Sequence, residues 1–425
     1  MQSRLIVKNF GPIDFVDLDL RNVNVFIGPQ ASGKSALAKL FTIFKAPRKF
    51  LSLENQSSND RIAAFKNVLE EYNIVSFLKL NTEIIYDSVL HRLSFNGGKI
   101  AYEPKLYNKI TGLERLNEEF TLNKDLIQDY IIKLCNDYYQ FEEQFSELLG
   151  IELNNSEINE YTEFNDVTSK EVLKALQIIN KIEIDLSSNS SLYIPAERSF
   201  INIIKNSSLN LLLNNVPIPK HILIFGAELE KVKMKSIDLS FLSNSLSYRN
   251  INGEDRIFIN RDSIKLSESA SGIQSIVPVL LIVLSHNILS KHRSLVIEEP
   301  ELNLFPTAQY ELIKLIESKR IEPLWEDDGA IHTYTTHSPY IISAFNNLLY
   351  ANKVLNVLGN NKSKDVKTIT TTTINPNTFT AYQIKDGTAS SIFDREAGLI
   401  VGNYIDEASD KMSDDFDALT ELMKK

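Results

Sequence analysis

The sequence is poor in cysteine, with Cys135 the single one among 425 residues. One thiol excludes a framework of disulfide bonds and a zinc site built from several cysteines, and Cys135 itself is predicted to be a small core residue of an amphipathic helix. No apolar run reaches the about 18 residues that a membrane-spanning helix needs, and the first residues lack the apolar stretch of a secretion signal. We therefore expect a cytoplasmic protein with no membrane partner.

An excess of basic residues is also missing, because 45 lysines and arginines face 55 aspartates and glutamates, for a net charge of −10. Proteins that hold nucleic acid neutralise its phosphates with lysine and arginine. The net charge does not indicate such binding, so any nucleic-acid contact would come from a local patch. The length and the 43% hydrophobic content are enough for a sizeable core and for two or three structural units.

Against this background, one segment has the pattern of a phosphate-binding loop. The apolar run Val23–Ile27 predicts a buried strand, and residues 36–46 predict a helix. The loop between them consists of Gly28, Pro29, Gln30, Ala31, Ser32, Gly33, Lys34 and Ser35. Its glycines allow a tight turn whose N–H groups point inward, and the helix adds its positive N-terminal end.

The last two residues of the loop carry side chains suited to a nucleotide and its metal. Lys34 can reach the outer phosphates of ATP, and the Ser35 hydroxyl can ligate Mg²⁺. The alternative is a glycine-rich turn before an ordinary helix, which would explain neither side chain. We expect ATP and Mg²⁺ as cofactors.

Two carboxylates follow the apolar strand 295–297. In α/β sheets, ligands bind at the carboxyl ends of the strands. Glu298 is predicted to hold Mg²⁺, and Glu299 is predicted to accept a proton from the water that attacks the γ-phosphate. The alternative is a strand that simply ends in acidic side chains exposed to solvent.

His337 follows the predicted strand 331–336, which is expected to lie beside the strand of Glu298. A histidine at this position can contact the γ-phosphate or the attacking water. A surface or helix-capping histidine is the alternative interpretation.

A second anion-binding segment opens the predicted helix 276–284. Its candidate residues are Ser269, Ser271 and Gly272, whose hydroxyl and N–H groups can bind phosphate, although a serine-capped helix has the same pattern. Because the chain already has one phosphate loop, this segment suggests nucleotide held by another copy. Arg198 ends the strand 192–195, and it either reaches phosphate or Mg²⁺-bound water or forms a structural salt bridge.

Composition divides the chain into four predicted parts. Two contain the motifs and are expected to form one nucleotide-binding head, one between them is rich in helical patterns, and a tail completes the head. The four parts are residues 1–50, 51–190, 191–345 and 346–425.

Hydrophobic spacing predicts particular elements within these parts. The second part is a mostly helical insertion that carries a small β-hairpin at 83–104 with a glycine turn. Residues 200–250 are predicted to be helical. The tail has short strands at 366–373 and 378–384 and an acidic helix at 413–424.

The motifs, taken in order, resemble those of the ATP-binding-cassette-type ATPases of the RecF, SMC and OLD group. More narrowly, they resemble the short AAA-family ATPases of that group that are often found in anti-phage operons. The segments that carry the resemblance are Leu5-Ile6-Val7-Lys8-Asn9-Phe10-Gly11-Pro12, Tyr193-Ile194-Pro195-Ala196-Glu197-Arg198, Glu298-Glu299-Pro300-Glu301-Leu302-Asn303-Leu304-Phe305-Pro306 and Thr335-Thr336-His337-Ser338-Pro339. The resemblance implies an α/β, ABC-ATPase-like head with a P-loop core sheet and a mostly helical insertion.

The resemblance further implies that ATP is sandwiched between two heads, in a homodimer or a larger ring. One head would supply the phosphate loop, the carboxylates and the histidine, and the other head would supply the signature segment at 269–272. This sequence departs from the family at two positions. Ala270 stands where the family's signature has its phosphate-binding serine, so Ser271 or Ser269 would have to substitute, and Glu298 replaces the more usual aspartate.

OLD proteins carry a C-terminal metal-dependent nuclease domain, but the stretch after His337 is short and has no strand-borne acidic triad. Four aspartates occur in the helix-like tail and are interpreted as a solvated face; they are Asp410, Asp414, Asp415 and Asp417. The first hypothesis is therefore a slow, regulatory ATPase that controls a separate effector protein such as a nuclease, as in anti-phage defence. The alternatives are a RecF-like DNA repair ATPase and the motor subunit of a transporter.

Overall fold

The structure is a computed structural model. It describes residues 3–47, 50–51, 58–88, 91–104, 191–202, 204–205, 211, 213–285, 294–320, 330–358, 363–402 and 404–423. Cys135 and the helical patterns expected between 105 and 190 lie outside the described residues.

The chain begins with three strands, β1 (Ser3–Phe10), β2 (Ile13–Leu20) and β3 (Val23–Ile27). In β1 and β2 the buried residues alternate with more accessible ones, so one face of each strand packs inward. All five residues of β3 are buried, as expected for a strand at the centre of a sheet covered on both faces.

These strands belong to an eleven-stranded mixed sheet. Its other members are β4 (Leu78–Asp87), β5 (His91–Asn96), β6 (Lys99–Pro104), β7 (Ser191–Ile194), β12 (Ser294–Glu298), β13 (His332–Thr336), β14 (Phe379–Lys385) and β15 (Thr388–Ser391). The spatial order is β6-β5-β4-β1-β2-β15-β14-β3-β13-β12-β7. The neighbours β14, β3, β13, β12 and β7 run parallel, so their carboxyl ends share one edge.

Helices cover both faces of this sheet. The α-helices of the described residues are α1 (Lys34–Lys45), α2 (Ser58–Glu71), α3 (Lys220–Glu230), α4 (Ser271–Val283), α5 (Pro306–Ser318), α6 (Pro339–Leu358), α7 (Ser363–Ile369) and α8 (Tyr404–Met423), of which α8 has mainly exposed side chains. Side chains of α1 and α2 pack into one hydrophobic core with β1 and β2, and side chains of α3, α4, α5 and α6 pack into a second core on the opposite face. None of the helices in the described part of the chain is long and apolar enough to cross a membrane.

Two small sheets lie outside the main one. The first contains β8 (Ser236–Asp238), β9 (Leu246–Ile251), β10 (Glu254–Ile259) and β11 (Asp262–Lys265), in the order β11-β10-β9-β8. The second pairs β16 (Phe393–Asp394) with β17 (Leu399–Ile400).

Three sequence predictions are corrected by this architecture. The hairpin at 83–104 exists as β5 and β6, but with β4 it extends the main sheet through pairing of β4 with β1, rather than forming a unit of a separate insertion. Residues 200–250 are not helical throughout, because β8 and β9 lie within them. The strand expected at 366–373 is wrong, since the helix α7 ends at Ile369 and no strand follows before β14.

Other predictions are confirmed. The strand expected at 378–384 exists as β14, and it lies inside the main sheet between β3 and β15. The acidic terminal helix exists as α8 and starts earlier than expected, at Tyr404. The rest of the proposed division into parts stays a prediction.

Candidate active site

Two glycines shape the loop between β3 and α1 for different reasons. A Cβ atom on Gly28 would lie 2.0 Å from the carbonyl oxygen of Ile384, so only glycine fits against β14. Gly33 has a φ of +103°, and a Cβ there would lie 2.4 Å from Ile13 Cδ1. Ala31 also adopts a left-handed conformation, with φ 60°. The resulting turn, which ends at the start of a helix, has the geometry of an anion-binding nest.

Lys34 is buried within this loop and is held by the loop's own carbonyl groups. Its Nζ donates hydrogen bonds to the carbonyl oxygens of Gly28 at 2.9 Å and Pro29 at 2.7 Å. Burial lowers the pKa of Lys34 to about 8, against the opposing attraction of Glu299 and Glu298. An anion seated in the loop would supply the negative charge that this ammonium group needs.

The carboxyl group of Glu298, at the end of β12, has the environment of a cation ligand. Burial raises its pKa, and the charge of Lys39 together with the neighbouring hydroxyls of Tyr193 and Ser35 only partly offsets this effect. Its Oε1 atom is buried without a hydrogen-bond partner. An unsatisfied carboxylate oxygen beside a serine hydroxyl is a donor set that Mg²⁺ accepts.

A dedicated metal cage is absent from the described residues, because no group of three or more histidine, cysteine, aspartate or glutamate side chains gathers there. Mg²⁺ is commonly bound by one or two protein ligands together with substrate phosphates and water. Ser35 and Glu298 therefore fit a metal ion that arrives with a nucleotide.

Glu299 is held in an uncommon backbone conformation, with φ 43°. Its N–H donates to the carbonyl oxygen of Thr335 at 2.9 Å, and its Oε1 lies 3.5 Å from Nε2 of His337. The interaction with His337 lowers the pKa of Glu299 more than burial raises it. The carboxyl group is therefore ionised at neutral pH, which a general base requires.

His337 is placed by a glutamate whose role the sequence did not reveal. Oε1 of Glu301 accepts hydrogen bonds from the Thr336 hydroxyl at 2.7 Å and from the His337 N–H at 2.8 Å. Through these two hydrogen bonds Glu301 links the segment after β12 to the segment after β13. Burial raises the pKa of Glu301. As predicted, β12 and β13 are direct neighbours, with Glu298 opposite Thr335.

The prediction that Arg198 reaches phosphate or Mg²⁺-bound water does not fit its surroundings, and neither does a salt bridge. The side chain has no exposed surface, and burial lowers its pKa to about 10. Its nitrogens donate to the carbonyl oxygens of Pro195 at 3.2 Å, Ser275 at 2.9 Å, Glu298 at 2.7 Å and Glu299 at 2.8 Å. Arg198 therefore binds the backbone that carries the two carboxylates. No sequence motif could show this, because all four acceptors are peptide groups.

The three candidates of the signature segment differ in their surroundings. The Ser269 side chain is buried and its hydroxyl donates to the carbonyl oxygen of Leu266 at 2.7 Å. A Cβ on Gly272 would lie 2.5 Å from the carbonyl oxygen of Asn303, so this glycine permits close packing within the chain. Ser271 is exposed at the first turn of α4. Of the two serine side chains, only that of Ser271 is exposed to a ligand in this conformation.

The fold and site define a P-loop nucleotide-binding protein, and the comparisons with known proteins agree. Residues 1–342 match the AAA ATPase domain family. The chain belongs to this family, and the predicted ATPase class is confirmed. No protein of curated function is detectably similar to it.

Among solved structures, the chain is similar to heads of SMC proteins and to RecF. The SMC head of Pyrococcus furiosus, solved with the C-terminal domain of ScpA, is 12% identical, with 92% of this chain and 95% of that chain covered and a TM-score of 0.36. The SMC head of Thermotoga maritima is 11% identical, with 92% and 98% covered and a TM-score of 0.35. The recombination mediator RecF is 12% identical, with 92% and 98% covered and a TM-score of 0.29.

Proposed function

We propose that the chain binds MgATP at the carboxyl edge of β3, β13 and β12 and hydrolyses it there. The observation that carries this proposal is that five predicted residues from three separate parts of the sequence meet at that edge: Lys34, Ser35, Glu298, Glu299 and His337. Their environments also differ as the proposed roles require, since Glu299 is ionised while Glu298 keeps an oxygen without a partner.

Each residue has a defined task in this reaction. The loop N–H groups and Lys34 bind the β- and γ-phosphates. Ser35 and Glu298 hold Mg²⁺, which when bound neutralises charge on the phosphates. Glu299 accepts a proton from the attacking water, and His337 orients the carboxylate and contacts the γ-phosphate side of the site.

We further propose that a second copy of the chain completes the ATP-binding site, in a dimer or a larger ring. The exposed Ser271 and the first N–H groups of α4 would face the γ-phosphate held by that copy. Because Ala270 replaces the usual serine of the signature, this contact is weaker than in a regular cassette ATPase. A slow, regulatory turnover follows, in which bound nucleotide controls the assembly.

The biological role that fits such a switch is control of a separate effector protein, such as a nuclease, in anti-phage defence in the cytoplasm. Support comes from the family resemblance of the motifs and from the net charge of −10, which gives no general attraction to DNA. The four candidate aspartates of the tail lie exposed along α8, as a solvated helix face would.

Assembly is tested by sedimentation velocity of the Glu299→Gln variant with and without MgATP. We expect a dimer or larger species only with MgATP, and none with Lys34→Ala as the matched control. A Glu299→Gln protein that binds ATP and stays monomeric at all concentrations would refute the sandwich. For the effector, purified candidate proteins are added to the ATP-bound assembly, and DNA alone is added in parallel; salt-sensitive binding of DNA alone would favour direct DNA maintenance.

A further inference from the structure

Arg198 connects two elements with different tasks in the proposed reaction. Its Nε donates to the carbonyl oxygen of Ser275 in α4, one turn after Ser271. Its Nη1 and Nη2 donate to the carbonyl oxygens of Glu298 and Glu299. One rigid guanidinium group thus joins the helix that faces the other copy's nucleotide to the peptide of the general base.

The Glu299 peptide needs such support. A non-glycine residue with φ 43° is strained, and this conformation persists only where its surroundings hold it. The hydrogen bond from the Glu299 N–H to Thr335 holds one side of the residue, and Arg198 holds its carbonyl on the other side. Loss of the Arg198 bond would let the carboxylate turn away from the attacking water.

We propose that Arg198 is a positioning residue that couples α4 to the orientation of Glu299, so that contact of α4 with the partner's nucleotide sets the activity of the base. This inference rests on the proposed catalytic role of Glu299. It differs from a packing role, because it assigns the effect of Arg198 to the rate of hydrolysis and to its dependence on assembly.

The test is a double-mutant cycle between Arg198→Lys and Glu299→Gln, read as kcat, ATP affinity and thermal unfolding. Lysine keeps the charge but lacks the planar fork, so its single nitrogen cannot replace the separate bonds to α4 and to the Glu298 and Glu299 carbonyls. We expect kcat to fall by about 10- to 100-fold while the Kd for ATP stays within about threefold, since a small displacement of a catalytic group has effects of this size. The dependence of kcat on protein concentration should also flatten.

The decisive arm is the double variant. If Arg198 acts through Glu299, Arg198→Lys should not lower the residual rate of Glu299→Gln further. A multiplicative loss in the double variant would overturn the inference. A wild-type rate of Glu299→Gln itself would instead refute the proposed base, so the two failures are distinct.

Asn202→Ala is the matched control, because Asn202 Nδ2 donates to the carbonyl oxygen of Gln274, the neighbouring peptide of α4, at 3.2 Å. We expect this variant to keep kcat within about twofold; an equal loss in both variants would assign Arg198 to packing of α4. If Arg198→Lys loses cooperative thermal unfolding, Arg198→Gln is measured in the same cycle. Unfolding of both would show a purely structural role and contradict the proposal.

Discussion

Buried carboxyl groups lie at both ends of strands β12 and β13, but the two ends differ in how completely the carboxyl oxygens are hydrogen-bonded. Near the amino end of β13, both carboxyl oxygens of Glu317 are bonded: Oε1 lies 2.9 Å from His332 Nδ1 and accepts from the Tyr334 hydroxyl at 2.6 Å, and Oε2 accepts from Arg320 Nε at 2.9 Å. Although burial opposes it, this set of partners lowers the pKa of Glu317 to about 2.

At the carboxyl end of the same strands, two buried carboxyl groups each keep one oxygen without a partner, in Glu298 and Glu301. Burial raises the pKa of both, while the neighbouring Lys34 is pushed toward its neutral form. Burial alone therefore does not identify a functional residue. The cluster around Glu317, in which both carboxyl oxygens are bonded although His332 Nε2 has no partner, stabilises the fold. The edge where the carboxyl groups themselves keep unpaired oxygens has the properties of a ligand site.

The largest effect on stability is expected at the end that carries Glu317. Glu317→Gln removes the buried negative charge that bonds Arg320, His332 and Tyr334, so the free energy of unfolding should fall by about 3–5 kcal/mol, with ATP affinity unchanged in the folded protein. Urea unfolding measures this change. The control is Glu311→Gln on the same helix, where the partly exposed pair with Lys314 contributes less than about 1 kcal/mol. Similar losses in both variants would show that the buried Glu317 cluster stabilises the fold no more than the Glu311–Lys314 pair does.

The same cluster predicts the sensitivity to acid. Because the pKa of Glu317 is lower in the folded than in the unfolded protein, its contribution is complete above about pH 4.5 and is lost as the pH falls toward 2. Glu317→Gln should therefore flatten the acid limb of a plot of unfolding free energy against pH. An unchanged limb would show that other groups dominate it.

At the catalytic edge, Glu298→Gln should have opposite effects on stability and activity. It removes a buried, incompletely paired carboxylate, so the nucleotide-free protein should gain about 1 kcal/mol of stability. It also removes the proposed metal ligand, so kcat with Mg²⁺ should fall by at least about 100-fold, since metal ions contribute several kcal/mol to such reactions. Thermal unfolding and steady-state hydrolysis are measured on one preparation. Loss of stability together with retained kcat would reverse our assignment.

A smaller effect is expected on the pH dependence of the Kd for ATP. Lys34 has a pKa of about 8 in the nucleotide-free loop, and bound phosphates hold it protonated. The Kd for ATP should therefore be flat below pH 8 and rise by about tenfold per pH unit above it, with uptake of a proton on binding. Titration calorimetry in buffers of different ionisation enthalpy detects that proton. Lys34→Arg should abolish the pH dependence, because guanidinium stays charged, and a flat wild-type profile would contradict the lowered pKa.

Much of the site was predictable because its residues lie next to short strands with clear sequence signals. The strands that lead to the phosphate loop and to Glu298 are mainly apolar, and the strand before His337 is rich in β-branched threonine. Parallel pairing then places their carboxyl ends together. The roles of Glu301 and Arg198 were not predictable. Arg198 bonds backbone carbonyl groups, and Glu301 bonds a backbone N–H and one threonine hydroxyl, and no sequence motif marks such partners.

The fold was less predictable where pairing is non-local. The apolar pattern of β4 to β6 predicts strands, but not that they pair with β1 in the main sheet. Similarly, β14 was identified as a strand, but its central position beside β3 depends on contacts between distant parts of the chain. The threonine-rich stretch 370–373 predicts a strand by propensity, which local context overrides here.

The central claim is that Glu299 is the general base of an ATP site whose binding residues are separate from it. The most direct test compares kcat and the Kd for MgATP in wild type and Glu299→Gln. We predict a fall in kcat of about 10²- to 10⁴-fold, the usual contribution of general-base catalysis, with the Kd within about threefold of wild type. Hydrolysis by Glu299→Gln at the wild-type rate would contradict the account.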